Sequence, residues 1–319
     1  MNRADRVYYL MNIRCASFAD NNKSFFRSKA KLFPAILFGC IVCTQLGAAK
    51  PNSKRQISEI LLNAANGKVI YAVRPDALHH PASLTKMMTL YLVFDALDEG
   101  LLREDKKLII SKSAARQPPS NLGFRPGDTI TVRDAMRAAA VHSANDVAVA
   151  LAESLGGDES NFVKKMNIKA HNLGMTHTKF ANVTGLTNSD NITTANDMSL
   201  LARALIKHHS QFYRIFNTRS FVWRSQRIFN HNHLLGKVSG VDAIKTGYTA
   251  DAGFNIVTSG KRHRDRIIGI VLGAPSISIR DVRVANLLEL GFISQSKSSS
   301  SGLIPTLDDH NSQAGFLEQ

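Results

Sequence analysis

Cysteine is almost absent from this 319-residue sequence, and its three cysteines all lie within the first 49 residues. The rest of the chain therefore forms no disulfide, binds no metal through thiolates and has no thiol nucleophile. A cysteine-free body suits an oxidising compartment, where free thiols are reactive. The three positions are Cys15, Cys40 and Cys43.

Acidic residues are also scarce: 25 Asp and Glu stand against 40 Lys and Arg, which gives a formal net charge of +15. The first 49 residues hold seven basic and two acidic side chains, so +10 remains for residues 50–319. This excess favours a negatively charged partner, and nucleic acid, anionic lipid and an acidic polymer all satisfy it. With 44% apolar and 20% charged residues, the composition excludes a disordered or collagen-like protein.

Long apolar runs are limited to one segment near the N terminus, residues 32–43, which follows two lysines and precedes the small residues of 47–49. Basic, apolar and small residues in this order have the layout of a secretory signal, and the apolar run is short for a membrane span of ~20 residues. We predict a signal peptide over residues 1–49 and export to the periplasm or cell envelope. Retention of the segment as an anchor and a true start at Met11 stay open.

Residue patterns after the signal predict an α+β fold. An Asn66-Gly67 turn between two apolar segments predicts a hairpin, and a Ser-rich stretch predicts a flexible tail over residues 294–319, after a domain over residues 50–293. Predicted strands at both ends of a helical middle imply a sheet that joins distant parts of the chain. The predicted strands are 57–62, 68–73, 220–229, 243–246, 254–259 and 267–272, and the predicted helices are 83–99, 131–155, 158–173, 194–208 and 280–290.

Ser83 and Lys86 form the first candidate for chemistry. Their spacing places both on one face of the predicted 83–99 helix, with Ser83 at the N terminus, where free N–H groups favour a developing anion. Apolar residues surround Lys86 in the sequence, and burial of an ammonium lowers its pKa, so that a neutral lysine can activate a serine nucleophile. The same Ser-x-x-Lys pattern begins at Ser28 and Ser294, but both copies lie in flexible basic segments.

A second polar motif, Ser143-x-Asn145, lies between apolar helical segments, where a hydroxyl and an amide can be held rigidly. Ser189-x-Asn191 repeats the pattern in a polar stretch that is typical of a surface loop. We therefore prefer Ser143 and Asn145 as the functional pair.

The third motif is Lys245-Thr246-Gly247, which occurs once. A glycine on a strand lets another backbone approach closely, while Lys245 and Thr246 can hold an anionic group of a ligand. In this order the three motifs match the signature of penicillin-binding proteins and class A β-lactamases.

Longer segments around these motifs resemble the D-alanyl-D-alanine carboxypeptidases, the low-molecular-mass penicillin-binding proteins of the cell wall. The resemblance runs from about residue 57 to 292 and implies a β-lactamase/DD-peptidase-like fold, in which an antiparallel sheet flanked by helices meets a helical lobe at the active site. Many members add a second β-rich domain and an amphipathic C-terminal helix, and we expect neither after residue 293. The segments that carry the resemblance are 81–87, 142–153, 173–175, 185–186, 232–235 and 241–249.

Carried over position by position, the resemblance implies a serine D-Ala-D-Ala carboxypeptidase that removes the terminal D-alanine from peptidoglycan stem pentapeptides. Ser83 is implied as the acylated nucleophile and Lys86 as its general base, and β-lactam antibiotics are implied as covalent inhibitors. Ser143 is implied to pass protons, and the backbone N–H groups of Ser83 and Tyr248 to form an oxyanion hole. The implied substrate-binding residues are Asn145, Lys245, Thr246, Gly247, Tyr248 and Arg280.

Three alternatives share this scaffold. A D,D-endopeptidase would use the same machinery on peptidoglycan cross-links. A β-lactamase relies on a glutamate-bound water to hydrolyse its acyl-enzyme, and no glutamate lies between Ser160 and Lys245, so we expect penicillin to acylate Ser83 and stay there. A non-catalytic wall-binding protein would be expected to lose at least one polar site residue, and all are present.

Neither nucleic acid nor a metal is predicted as a ligand. The basic run 261–266 lies between two predicted strands, which favours a solvated turn over a nucleic-acid site. Paired histidines have few acids and no cysteine near them, so we interpret them as surface residues. We expect no cofactor, and we expect a peripheral contact with anionic envelope surfaces. The histidine pairs are His79 and His80, His208 and His209, and His231 and His233.

Overall fold

Nine strands and eight helices build residues 56–300, the part of the chain that the computed structural model describes. The predicted signal peptide and residues 301–319 of the predicted tail lie outside the described residues. The strands are β1 Ser58–Asn63, β2 Val69–Val73, β3 Lys107–Ile109, β4 Thr129–Thr131, β5 Ser220–Trp223, β6 Gln226–Phe229, β7 Val241–Thr249, β8 Gly253–Arg262 and β9 Asp265–Ala274. The helices are α1 Thr85–Asp98, α2 Lys112–Ala115, α3 Val132–Val141, α4 Asn145–Gly156, α5 Glu159–Asn172, α6 Ala195–His208, α7 Ser210–Tyr213 and α8 Ile277–Ser300, with 3-10 turns at Ala82–Leu84 and Arg214–Asn217.

Five strands form one antiparallel sheet in the order β2-β1-β9-β8-β7. Strand β1 lies between β2 and β9, with Ile60 opposite both Ala72 and Ile270, so the N-terminal hairpin pairs with a strand near the C-terminal end of the domain. Strand β7 lies at the edge of the sheet and packs against the 3-10 turn Ala82–Leu84. These features confirm the predicted α+β fold, in which an antiparallel sheet joins distant parts of the chain.

Helix α1 is buried on nearly every side because α3, α4, α5 and α6 all pack against it. Its Phe94 is completely buried, and its ring stacks on Phe212 with 5.1 Å between the centroids. On the other side of the sheet, Val284 and Leu288 of α8 join a second apolar cluster with residues of β8 and β9. Full burial of side chains of this size contributes about 1.5–3 kcal/mol each, so the sheet is held from both faces.

The helical stretch predicted over residues 131–155 consists of two helices, and the second motif lies between them, as its position between apolar helical segments predicted. Helix α3 ends at Val141 and α4 begins at Asn145, and between them Ser143 adopts a φ of +62°. The left-handed region is incompatible with a continuing helix, and no glycine or proline at this point marks the break in the sequence. At this interruption the residues of the second motif are buried and line a cavity.

Three other boundaries differ from the prediction. The single strand expected over 220–229 is the hairpin β5–β6, whose turn residues Arg224 and Ser225 have φ values of +44° and +66°. The short pair β3–β4 has no predicted counterpart, since three-residue strands show too little alternation to detect. Helix α8 continues through Ser300, beyond the domain boundary expected after residue 293.

Within residues 56–300 no helix is long and apolar enough to span a bilayer.

The interpretation of the histidine pairs as surface residues is wrong for His209, which is only 3% exposed and lies between Asp95 and Asp98 at 3.1 and 2.8 Å. The hydrogen bond between Nδ1 and Asp98 and the nearby carboxylate of Asp95 make burial of this histidine tolerable.

Candidate active site

The amine of Lys86 is the point at which three segments of the chain meet. Its Nζ lies 3.2 Å from the Oγ of Ser83, which precedes Lys86 by three residues. The same Nζ lies 2.7 Å from the Oδ1 of Asn145 on α4 and 2.7 Å from the backbone carbonyl of Thr184 in the loop before α6. The amine therefore ties the start of α1 to the helical lobe and to this loop.

Burial lowers the pKa of Lys86. Lys86 is fully buried, and desolvation together with the nearby charge of Lys245 lowers its pKa well below the usual value, against a smaller opposing effect of Asp146. A neutral amine carries two hydrogens and one lone pair. If the hydrogens go to Asn145 Oδ1 and the Thr184 carbonyl, the lone pair is left for the hydroxyl of Ser83.

Asn145 is fixed in the orientation that this arrangement needs. Its side-chain Nδ2 donates to the carbonyl of Pro118 at 2.8 Å, and its backbone N–H donates to the carbonyl of Ser120 at 2.7 Å. Because the amide nitrogen is engaged with a carbonyl, the Oδ1 is the atom that faces Lys86. Ser143, two residues earlier, is 4% exposed, and its Oγ has no hydrogen-bond partner among the described residues.

Lys245 and Arg280 supply two further buried cations, with exposed fractions of 2% and 3%. Burial and the neighbouring Arg280 lower the pKa of Lys245 to about 7. The Nζ of Lys245 donates to the carbonyl of Thr246 at 2.9 Å, while Arg280 pairs with Asp281 at 2.7 Å. Repulsion between these cations makes the free site a favourable place for an anion.

Two glycines let separate backbones approach the serine. A Cβ on Gly247 of β7 would lie 2.9 Å from the backbone nitrogen of Ser83, and a Cβ on Gly185 would lie 1.8 Å from the carbonyl oxygen of Ala82. Gly185 also has a φ of +81°, which side chains rarely tolerate. The turn that carries Ser83 is thus pressed between the edge strand and the 184–185 loop, and Ala82 within it adopts a φ of +49°.

A cavity of about 380 Å³ opens beside this turn. Lys86 and Lys245 do not line it but lie behind its wall, and none of its lining residues in the described chain is acidic. Tyr248 stands at the wall with 56% of its surface exposed, and its ring stacks on Phe254 at 4.2 Å. Seven of the residues named from the sequence line the cavity together: Ser83, Ser143, Asn145, Thr246, Gly247, Tyr248 and Arg280.

The second Ser-x-Asn motif lies elsewhere. Ser189 is exposed and does not line the cavity. Asn191 is buried for a structural reason, because its Oδ1 accepts from the backbone of Ala181 and its carbonyl is 2.8 Å from Nδ1 of His80.

Other residues of the site have no clear signal in the sequence. Asp146 is buried and accepts from the backbone N–H of Leu122 at 2.7 Å, which ties the 117–124 loop to α4. His231 lines the cavity, and burial lowers its pKa to about 4, with Lys245 acting in the same direction. Asn255 donates to the Pro81 carbonyl at 3.2 Å and so anchors the turn before Ser83 to β8. The partners of these groups are distant in sequence, so no local pattern identifies them.

Comparison with solved structures places the fold among known penicillin-binding proteins. Penicillin binding protein 5 from Haemophilus influenzae superposes with a TM-score of 0.72 at 33% identity, over 77% of this chain and 73% of that one. Penicillin-Binding Protein D2 from Listeria monocytogenes, solved in a cefotaxime-bound form, gives a TM-score of 0.67 at 31% identity, over 74% of this chain and 96% of that one.

Sequence comparison gives the same result. The D-alanyl-D-alanine carboxypeptidase DacF of Bacillus subtilis is 34% identical over 279 residues, which cover 82% of this chain and 71% of the relative. Against the curated carboxypeptidases of Haemophilus influenzae and Escherichia coli, the chain spans 60–64% of the relative's length. The family profile of D-alanyl-D-alanine carboxypeptidases matches residues 45–276, and the chain belongs to this family of serine peptidases.

Proposed function

We propose that this chain removes the terminal D-alanine from peptidoglycan stem pentapeptides through an acyl-enzyme on Ser83. The observation that carries the proposal is the fully buried amine of Lys86, 3.2 Å from the Ser83 hydroxyl, with its other two contacts at 2.7 Å to oxygen acceptors. The family to which the chain belongs supports the choice of substrate.

In the acylation step, Lys86 takes the hydroxyl proton of Ser83 as its oxygen attacks the carbonyl carbon of the peptide bond. The position of Ser83 beside the N terminus of α1 favours the negative charge that develops. We assign the oxyanion hole to the backbone N–H groups of Ser83 and Tyr248. Ser143, with a hydroxyl that has no other partner among the described residues, is suited to return the proton to the leaving amine.

Recognition of the terminal carboxylate is assigned to Lys245, Thr246 and Arg280. The cavity wall in the described chain contains no acid, and the charge of Arg280, although paired with Asp281, still lowers the pKa of the buried Lys245, so an additional anion is favourable there. A carboxypeptidase must distinguish a free terminus from an internal peptide bond, and a pre-formed cationic site makes that distinction with little reorganisation.

β-Lactams are proposed as covalent inhibitors, as the cefotaxime-bound Listeria relative suggests. Two nearby glutamates have other partners: Glu153 accepts from Ser111 at 2.9 Å, and Glu159 accepts from the backbone of Val183 at 3.1 Å. Neither lines the cavity. With no carboxylate to activate a water, hydrolysis of a penicilloyl-Ser83 is expected to be slow.

We also propose that the enzyme works in the periplasm or cell envelope. The signal-like layout of residues 1–49 and the absence of cysteine from the rest of the chain support export. The net charge of +10 over residues 50–319 supports a peripheral contact with anionic envelope surfaces.

A fluorescent penicillin is expected to label the wild-type enzyme covalently and to leave Ser83→Ala unlabelled. Lys86→Ala should fold but lose at least about 100-fold in acylation rate, because the proton acceptor is gone. Gel fluorescence and stopped-flow acylation measure both effects. Label retained by Ser83→Ala, or acylation of Lys86→Ala within a few-fold of wild type, would contradict the assigned roles.

Ser143→Ala is expected to lower kcat far more than Ser189→Ala. Both substitutions remove one hydroxyl, and the alanine at 143 keeps its Cβ, so the backbone strain at φ +62° is unchanged. Release of D-alanine from a pentapeptide measures the effect. The reverse order would show that the second Ser-x-Asn motif is the functional one.

The KM for a free-acid pentapeptide is expected to rise as the pH increases above about 7. Lys245 is charged below its pKa of about 7 and loses its proton above it, so the site for the carboxylate weakens on the alkaline side. Lys245→Arg keeps its charge at all these pH values and should remove this rise. An equal rise for a peptide with an amidated terminus would show that Lys245 does not bind the carboxylate.

Amidation of the terminal carboxylate is expected to lower kcat/KM, because a charged hydrogen-bonded pair is lost. The expected loss of transition-state stabilisation is roughly 2–4 kcal/mol. Arg280→Ala should narrow the difference between the free-acid and amidated peptides. Mass spectrometry of the products provides the measurement, with a cross-linked muropeptide dimer as the second substrate. Equal turnover of both peptides together with fast cleavage of the dimer would favour a D,D-endopeptidase instead.

A further inference from the structure

A second cavity, of about 420 Å³, lies between helix α6 and the turn that joins β1 to β2. It shares no lining residue with the cavity at Ser83 and has a similar volume. Its size falls in the range of sites for small ligands. The proposed mechanism assigns it no role.

One face of α6 lines this cavity with both apolar and cationic side chains. Leu200 and Ala204 are four residues apart, as are Arg203 and Lys207, and the two pairs are offset by three residues, so all four side chains lie along a single stripe of the helix. The apolar pair and the cationic pair alternate along this stripe. Leu173, from the end of the α5 region, extends the apolar part.

Arg203 carries a charge that no carboxylate neutralises in the described part of the chain. Its guanidinium donates to the backbone carbonyls of Ala64 and Ala65 at 3.2 and 3.4 Å. It packs so closely on the turn that a Cβ on Gly67 would lie 2.4 Å from its Nη1. The glycine of the turn therefore has a second consequence beyond hairpin geometry, since it leaves room for this guanidinium at the cavity.

The basic residues at this cavity are not all equivalent. Arg266 is paired with Asp242 at 2.7 Å, and the pKa of His208 is lowered by burial and by the adjacent Lys207. Lys207, like Arg203, has no acidic partner among the residues that the structure describes. These two free cations are four residues apart on α6, which separates their Cβ atoms by ~5–6 Å.

Stabilisation of the helix dipole does not account for both charges. Lys207 and His208 lie in the last turn of α6, where positive charge is favourable. That effect falls off within one turn, and Arg203 lies further from the helix end. No acidic residue lines the cavity within the described chain, so two adjacent cations face an apolar floor without a counter-ion.

We propose that this cavity binds an acidic peptide with small aliphatic side chains, its carboxylates on Arg203 and Lys207 and its methyl groups on Leu173, Leu200 and Ala204. A peptidoglycan stem peptide has this chemistry, and the choice of that source rests on the proposed function. Bound here, one stem would hold the enzyme on the wall polymer while another enters the cavity at Ser83. The site would act as a docking subsite and take no part in the chemistry.

The test uses the Ser83→Ala protein and a stem tripeptide that ends before the D-alanines, titrated by calorimetry. Saturable binding is expected, about ten-fold weaker with amidated carboxylates, because hydrogen bonds to charged groups are lost. Lys207→Gln should weaken binding by a similar factor, and Ala204→Phe should remove it by filling the floor. Lys164→Gln is the matched control and should change nothing, because Lys164 is an exposed lysine on α5 whose amine donates to Asn161.

Several outcomes would overturn the proposal. Binding that survives both Lys207→Gln and Ala204→Phe, or that disappears in Arg280→Ala, would place the peptide elsewhere. Binding of vesicles with anionic phospholipid that depends on Lys207, without binding of the tripeptide, would assign the cavity to a lipid headgroup. If Ala204→Phe does not fold, as judged by circular dichroism, Lys207→Gln still decides. Failure of the proposed function is distinguishable, since it appears as loss of penicillin labelling at Ser83 in the wild-type enzyme.

Discussion

Burial of the Lys86 amine is the constraint on which the rest of the site depends. An ammonium inside an apolar core is costly, and burial lowers its pKa well below the usual value, which favours the neutral form. A buried amine must also find acceptors, because an unsatisfied donor costs about 1–3 kcal/mol. Asn145 and Thr184 supply them at 2.7 Å from two different parts of the chain. The bonds that make burial tolerable also leave Ser83 as the remaining polar neighbour.

The backbone around Ser83 is confined for a related reason. The turn lies between β7 and the 184–185 loop, and both approaches are possible only because Gly247 and Gly185 lack a Cβ. Ala82 and Ser143 are both held at positive φ. Such conformations cost of order 1–3 kcal/mol each and persist where the surrounding packing fixes them. Here that packing comes from the largely buried α1 and from Asn255 on β8.

The two proposed sites both contain cationic side chains, but these differ in how far they are buried. At Ser83 the cations are buried. Burial and the charge of Lys245 lower the pKa of Lys86, burial and the charge of Arg280 lower that of Lys245, and we propose a substrate carboxylate as the anion that binds there. On α6 the cations lie at the rim of an open cavity, where water screens them and their contribution to binding is smaller. In our proposals the first arrangement recognises the residue that is removed, and the second only holds the polymer.

The sequence by itself determined the α+β class, the family and the order of the three motifs. Hydrophobic patterns suffice for long elements such as α1 and β9, and Ser83 and Lys86 are near in sequence, so their proximity follows from helix geometry alone. Only the tertiary structure decided how these residues meet their distant partners: that Asn145 and the Thr184 carbonyl reach the same amine, that Ser143 adopts a left-handed backbone between two helices, and that Arg203 packs on Gly67. Each of these depends on a contact between segments far apart along the chain or on a strained backbone fixed by packing, and neither leaves a periodic signal in the sequence.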